Sequence, residues 1–183
     1  YKKRLIEDFE SVPSGTSQYV YQYRIKKGEN YGRYYIETVC KEHVLLDCEK
    51  LSKKHDYWNM GSLELSFDET TLIYGVDTVG NDECKLYIRR YMSDDVKEIK
   101  NPKGLKITMN YQFVEMTNHV YYSTMDKTGR SNKIWYVDTD TNKHQCVYTE
   151  NDEQFSVQVT NSTSYTQCFI YSSNYDVTEV ISI

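Results

Sequence analysis

The segments Thr71-Leu72-Ile73-Tyr74-Gly75, His119-Val120-Tyr121-Tyr122-Ser123 and Cys168-Phe169-Ile170-Tyr171-Ser172 decide how this chain folds. Each is a short apolar run rich in branched and aromatic residues, which suit the pleated surface of a strand. Each is followed by a second such run: Lys85-Leu86-Tyr87-Ile88-Arg89, Lys133-Ile134-Trp135-Tyr136-Val137 and Glu179-Val180-Ile181-Ser182-Ile183. Tyr74 to Tyr122 is 48 positions and Tyr122 to Tyr171 is 49; Tyr87 to Trp135 is 48 and Trp135 to Ile181 is 46. Earlier in the chain, Tyr23 stands 51 before Tyr74, and Ile36 stands 51 before Tyr87.

Two more strand-like stretches complete each period. One precedes the pair, as in Gly61-Ser62-Leu63-Glu64-Leu65-Ser66, Tyr111-Gln112-Phe113-Val114 and Phe155-Ser156-Val157-Gln158-Val159. The other follows it, as in His43-Val44-Leu45-Leu46-Asp47, Val96-Lys97-Glu98-Ile99 and Gln145-Cys146-Val147-Tyr148. Turn residues separate them. Met92-Ser93-Asp94-Asp95 and Asp138-Thr139-Asp140-Thr141-Asn142-Lys143 place Ser, Asp and Asn where the chain must reverse, because those side chains bond their own backbone. Four antiparallel strands recurring at about 50 residues is the pattern of β-propeller blades. The expected fold is therefore all-β: a leader over residues 1–18, then a partial propeller over 19–183. Its blades fall at about 19–52, 57–102, 105–150 and 154–183, with three, four, four and three strands, or about three and a half blades.

Composition agrees with strands. The 183 residues are 39% hydrophobic and 27% charged, with 19 tyrosines, two prolines and no alanine. A helical protein would lack its best helix former. The same bias follows from an AT-rich genome, because the codons of the lost residues are GC-rich. Twenty-seven acidic against 22 basic side chains leave a net charge of −5, which speaks against a nucleic-acid surface. Lys97, Lys100, Lys103 and Lys106 form a spaced basic stretch, but Asp94, Asp95 and Glu98 dilute it. No apolar run reaches the roughly 18 residues of a membrane span, and the basic start Tyr1-Lys2-Lys3-Arg4 has no apolar signal region behind it. The expectation is no membrane and no nucleic-acid partner. The lack of an initiator Met suggests trimming upstream.

Five cysteines (40, 48, 84, 146 and 168) are an odd set without C-x-x-C. Most sit in apolar strand-like runs, where a thiol acts as a small hydrophobe, so reduced cysteines and a cytoplasmic setting are expected. The histidines (43, 55, 119 and 144) never pair with one another at ligand spacing, and no C-x-x-C stands beside any of them. No metal or cofactor is expected. Asp138-Thr139-Asp140-Thr141-Asn142 resembles the start of a calcium loop, but Lys143 stands where glycine belongs and Thr149 where the closing Glu belongs, so it reads as a hairpin turn. Asn161-Ser162-Thr163 is a glycosylation sequon without meaning in the cytoplasm. Gly61-Ser62-Leu63 and Gly129-Arg130-Ser131 both lack the flanking glycine of a nucleophile elbow. Asp77, Asp82 and Glu83 could pair for acid–base work, but read as solvated loop carboxylates. No catalytic residue is assigned.

Particular residues resemble a known family. Tyr57-Trp58-Asn59-Met60-Gly61, Leu65-Ser66-Phe67-Asp68-Glu69-Thr70, Tyr74-Gly75-Val76-Asp77 and Gly80-Asn81-Asp82-Glu83-Cys84-Lys85-Leu86-Tyr87-Ile88 follow the order found in the propeller of oligopeptidase B and its prolyl oligopeptidase relatives. There an aromatic-x-Met/Leu-Gly segment leads into Ser-Pro-Asp, a strand, Asp and Gly-x-Glu-x-Tyr. Tyr121-Tyr122 with Ile134-Trp135-Tyr136-Val137, then Val147-Tyr148-Thr149-Glu150 and Phe155-Ser156-Val157, continue the likeness, and Val177-Thr178-Glu179-Val180 resembles the end of a blade. Glu42-His43-Val44-Leu45-Leu46-Asp47 is similar to the family's Glu-x-Leu-Leu-Asp. The resemblance runs from about Leu5 to Ile183. Phe67, Cys84 and Thr139-Asp140 depart from the pattern, all in turns.

The resemblance implies a propeller that caps a separate α/β-hydrolase domain and admits only short peptides to a Ser-Asp-His triad. No stretch here corresponds to that hydrolase. Two functions follow as expectations. One is the N-terminal propeller part of an oligopeptidase-like serine peptidase, inactive alone and meeting peptide substrate only through a hydrolase domain absent from this chain. The other is a non-catalytic structural or interaction protein built from such blades, either of a virus, with the virion as its setting, or of another organism with an AT-rich genome. In either case an unfinished ring would leave apolar blade faces open and favour self-association or a protein partner.

Overall fold

The computed structural model describes residues 7–15, 19–38, 41–91, 93–114, 117, 119–162 and 167–183; Cys40, Met92 and Thr163 lie outside them. The chain divides into two compact units, Tyr1–Tyr57 and Trp58–Ile183.

The first unit contains β1 (Phe9–Glu10), β2 (Ser14–Gly15), β3 (Val20–Ile25), β4 (Arg33–Glu37) and β5 (Glu42–Asp47), then the short helix α1 (Cys48–Ser52). β3, β4 and β5 form an antiparallel meander. On the other edge of β3, β1 pairs through Phe9↔Ile25 and Glu10↔Arg24, and β2 through Ser14↔Tyr21 and Gly15↔Val20. The stretch expected to be a leader therefore contributes an interrupted fourth strand to the first sheet. Pro13 explains why it does not read as a strand: it cannot donate to the ladder and breaks the alternation between the two short pairings.

Helix α1 is also absent from the sequence reading. Its N-cap is Asp47, whose carboxylate accepts from the Lys50 N–H at 2.8 Å. The Glu49 carboxylate turns back to accept from the N–H groups of Asn30 and Tyr31, fastening the β3–β4 turn to the helix. Arg33 completes this corner with a bidentate pair to Glu29, at 2.7 and 2.8 Å, and a bond from Nε to Asp47 at 3.0 Å. The fork geometry matches a carboxylate, and the Arg33 bond holds the Glu29 carboxyl below its usual range.

The second unit repeats one motif. The second sheet runs β6 (Asn59–Leu65), β7 (Thr71–Asp77), β8 (Lys85–Arg90) and β9 (Val96–Ile99). The third runs β10 (Ile107–Phe113), β11 (His119–Met125), β12 (Ser131–Asp138) and β13 (Lys143–Thr149). The fourth has three strands, β14 (Ser156–Asn161), β15 (Cys168–Ser173) and β16 (Thr178–Ser182). All neighbours are antiparallel and consecutive in the chain, as the repeat predicts.

Apolar faces meet between the second and third sheets and between the third and fourth. In β7 every residue from Leu72 to Asp77 is buried. Ile73, Leu86, Ile88 and Ile99 of the second sheet share a core with Tyr111, Phe113, Val120, Tyr122, Trp135 and Val137 of the third. A separate core joins Ile134 to Val157, Val159, Cys168 and Ile170 of the fourth. Along β12, Ile134 and Trp135 are neighbours that serve opposite cores, because successive side chains leave a strand on opposite faces.

That alternation corrects one reading. Tyr122 pairs with Trp135, Tyr74 with Tyr87, and in the fourth sheet the matching pair is Ile170 and Ile181. Ile170 packs toward the third sheet as Tyr122 packs toward the second, so Tyr171 stands one residue out of step. A slip of one residue reverses the face.

Gly75 shows how closely the second and third sheets approach. A Cβ there would meet the Cys84 sulfur and lie 2.7 Å from Cε1 of Tyr111. Gly to Ala in a strand ordinarily gains from reduced backbone freedom. Here Gly75→Ala is expected to destabilise the chain by about 1–3 kcal/mol through overpacking, read from the midpoint of a urea titration. An unchanged or raised midpoint would contradict the packing.

Candidate functional site

The interactions joining the sheets concentrate on the first strand of each. Met60 pairs with Val76 and Leu63 with Tyr74, so Gly61 and Ser62 together oppose Gly75. This bulge takes the Ser62 carbonyl and the Gly75 N–H out of the ladder. Both are recovered by one hydroxyl from the next sheet: Tyr111 accepts from the Gly75 N–H at 2.7 Å and donates to the Ser62 carbonyl. Tyr111 is fully buried, and burial raises its pKa, so the hydroxyl keeps the proton it donates.

β10 carries a wider irregularity. Ile107 pairs with Thr124 and Tyr111 with Tyr122, which leaves Thr108, Met109 and Asn110 opposite Ser123. The Asn110 amide reaches β14, accepting from the Val159 N–H at 2.7 Å and donating to its carbonyl at 3.0 Å. In return, Asn161 Nδ2 donates to the Phe113 carbonyl at 3.0 Å and to Gln112 Oε1 at 3.2 Å. A side-chain amide carries an acceptor oxygen beside N–H donors, so Asn110 both accepts and donates like a peptide unit in place of a missing strand neighbour, while Asn161 donates twice. The bonded residues lie 48 or 49 apart in sequence. That is the spacing of the repeat.

At one end of the sheets, acidic side chains organise the turns. Asp126 accepts from the N–H and hydroxyl of Thr128 and from Arg130, and these bonds draw its carboxyl down to about 2. Arg130, so oriented, donates through Nη1 to the carbonyls of Asp152 and Phe155, and Ser131 Oγ donates to the Val157 carbonyl at 2.8 Å. Gly129-Arg130-Ser131 is thus a clamp from the third sheet to the fourth. Ser62 of Gly61-Ser62-Leu63 offers its carbonyl to the bulge.

Asp77, Asp82 and Glu83 do not converge. Asp77 is 1% exposed; burial raises its pKa, but bonds from the N–H groups of Val79, Gly80 and Asp82 outweigh that and lower it. Its oxygens are occupied by backbone. Asp82 takes the left-handed conformation, φ 61°, and Glu83 pairs with Lys106 at 3.0 Å. Asp138 accepts from the N–H groups of Asp140 and Thr141, with Asn142 at φ 56°, so that segment is the expected hairpin turn. Of the other spaced lysines, Lys97 donates to the Thr139 carbonyl, Lys100 pairs with Glu98, and Lys103 lies over Trp135. Among the described residues no three His, Cys, Asp or Glu side chains gather to hold a metal. Cys48, Cys84 and Cys168 are buried free thiols that burial pushes up to about 12, 12 and 11.

The bonding residues Asn110, Tyr111, Arg130 and Asn161 escaped the sequence reading. The available signal was an asparagine within the first strand of a sheet, at Asn110 and again 51 residues on at Asn161.

Residues 1–181 match the family model of the prolyl oligopeptidase N-terminal β-propeller domain. The chain belongs to that family. It is 22% identical over 179 residues to Protease 2 of Moraxella lacunata, covering 92% of this chain and 26% of that protein. Among solved structures, oligopeptidase B from Leishmania major superposes with a TM-score of 0.79 at 21% identity, covering 97% of this chain and 26% of that one. Oligopeptidase B from Trypanosoma brucei, in a closed form with covalently bound antipain, gives 0.77 at 23% identity over the same shares. The chain thus spans about a quarter of these relatives. The prolyl oligopeptidase propeller model takes in 181 of its 183 residues, so the chain as given contains propeller and no hydrolase domain.

In this propeller the Tyr111 hydroxyl is the most exposed to test, because its removal strands two buried backbone groups at once. Tyr111→Phe is expected to cost about 1–3 kcal/mol, the penalty for buried unsatisfied groups, with little change in shape. Asn110→Ala is expected to loosen the junction of the third and fourth sheets, seen as faster amide exchange at Val159. Wild-type exchange there would contradict the amide bond.

Proposed function

We propose that this chain is propeller from an oligopeptidase B-like serine peptidase and that it acts by restricting access to a hydrolase domain carried outside it. The observation that supports this reading is the match of nearly the whole chain to the family's propeller domain. In this reading peptide substrate is met only through that hydrolase, and the chain supplies walls rather than chemistry. The buried thiols Cys48, Cys84 and Cys168 fit a reducing, cytoplasmic setting. The comparisons lend no support to a viral source.

The reading also assigns a role to the fourth sheet. β16 pairs only with β15 among the described residues, and Val177, Val180 and Ile183 are exposed beside it. In a longer protein a following strand would cover that edge. By itself the chain would pair it with a second copy.

Purified chain mixed with dibasic and prolyl peptides is expected to give no turnover, while a longer gene product containing a G-x-S-x-G hydrolase is expected to cleave them. Cleavage by this chain alone, abolished by a serine-directed reagent, would overturn the division of labour. Light scattering is expected to show mass rising with concentration; a monomer throughout the micromolar range would remove the self-pairing.

A further inference from the structure

His144 lies on β13, the outermost strand of the third sheet, where it faces the second sheet beside Cys146. Its Nδ1 is 2.8 Å from the Tyr122 hydroxyl. That hydroxyl accepts from Asn101 Nδ2 at 3.0 Å and has its own proton to give to the imidazole. We assign the chain the direction Asn101→Tyr122→His144, with a neutral ring that carries its proton on Nε2. Asn101 is buried, and its Oδ1 accepts from the Lys103 N–H at 2.9 Å, which anchors the connection between β9 and β10. His144 Nε2 is buried and has no hydrogen-bond partner among the described residues.

The charged groups around this ring offer a cation nothing. From the second sheet, β9 presents Lys97, whose ammonium donates to the Thr139 carbonyl at 3.3 Å, and β8 presents Arg90, 4.0 Å from Asp140. The connection contributes Lys103, lying over Trp135. β11 and β13 contribute the Tyr122 hydroxyl, whose pKa burial raises, and the Cys146 thiol. Asp140 is engaged by Arg90 across the sheets, and among the described residues no carboxylate lies within ion-pair distance of the imidazole.

We infer that this cluster is an acid-sensitive latch between the second and third sheets. A second proton must enter on Nδ1, where it meets a hydroxyl hydrogen already committed to that atom, and it places a cation beside Lys97 in a part-apolar seam. The hydrogen-bond chain then breaks at Tyr122, and the outer strands β9 and β13 part while the inner bonds of Tyr111, Asn110 and Asn161 hold. Burial, and then Lys97, lower the His144 pKa from its ordinary 6.5, in keeping with this geometry. The folded protein therefore disfavours the proton relative to the unfolded chain. The latch contributes fully above about pH 6.5, and its contribution is lost as pH falls from there through the lower folded value.

The test is amide exchange of the full chain at pH 7.5 and 5.5, corrected for the intrinsic effect of pH. Protection in β9 and β13 is expected to fall several-fold at the lower pH, with β14 and β15 unchanged. His144→Gln, neutral at both values, is expected to remove the difference. If that variant does not fold, Lys97→Met carries the test: without the neighbouring charge the step is expected to shrink. Loss of protection spread evenly over all strands, or an unaltered step in whichever variant folds, overturns the latch.

Discussion

The sheets of the second unit bury apolar faces against one another, so none of them stands alone. β7 shows the constraint in its purest form, with six consecutive buried residues and no face left for water. A strand of that kind needs a neighbouring sheet on each side, and stacking repeats meets the need. Leu86, Ile134 and Ile170, among the fully buried side chains, all lie on such faces. The four-strand motif and its repetition follow from this, as do the opposite allegiances of Ile134 and Trp135.

Apolar stacking sets which faces meet but leaves the strand edges open. The first strand of a sheet has a partner on one side only, and unpaired backbone there is costly when buried. Bulges in β6 and β10 enlarge that problem. The solution is specific and polar: a tyrosine hydroxyl satisfies one bulge, and asparagine amides tie β10 to β14. Inner edges are therefore joined by groups with fixed protonation, whereas the outer strands β9 and β13 meet around a histidine.

Much of the fold was legible. The strand pairs, the turn at Asp138 and the division into sheets all come from period-two runs broken by Ser, Asp and Asn, a local signal that survives in a single chain. The leader was misread because Pro13 hides a strand of two short pieces, and α1 because five residues leave no helical period. Tyr171 was misplaced because identity of residue was followed where only parity along the strand decides the face. The buried tyrosines have structural roles at Tyr111 and Tyr122; nothing in the structure explains the absence of alanine.

Sequence alone determined the repeat, because strand alternation and turn chemistry act over a few residues and are written locally, while the family resemblance came from separate residue motifs in their order along the chain. Tertiary structure alone decided which polar side chains join the sheets. Asn110, Tyr111 and Asn161 find their partners 36 to 49 residues away, and their roles depend on which backbone groups a bulge leaves free. It also turned Asp77 from an expected solvated loop carboxylate into a buried turn anchor, since a carboxylate's role rests on what already occupies its oxygens. That occupancy is a matter of distance in space, which spacing along a chain does not contain.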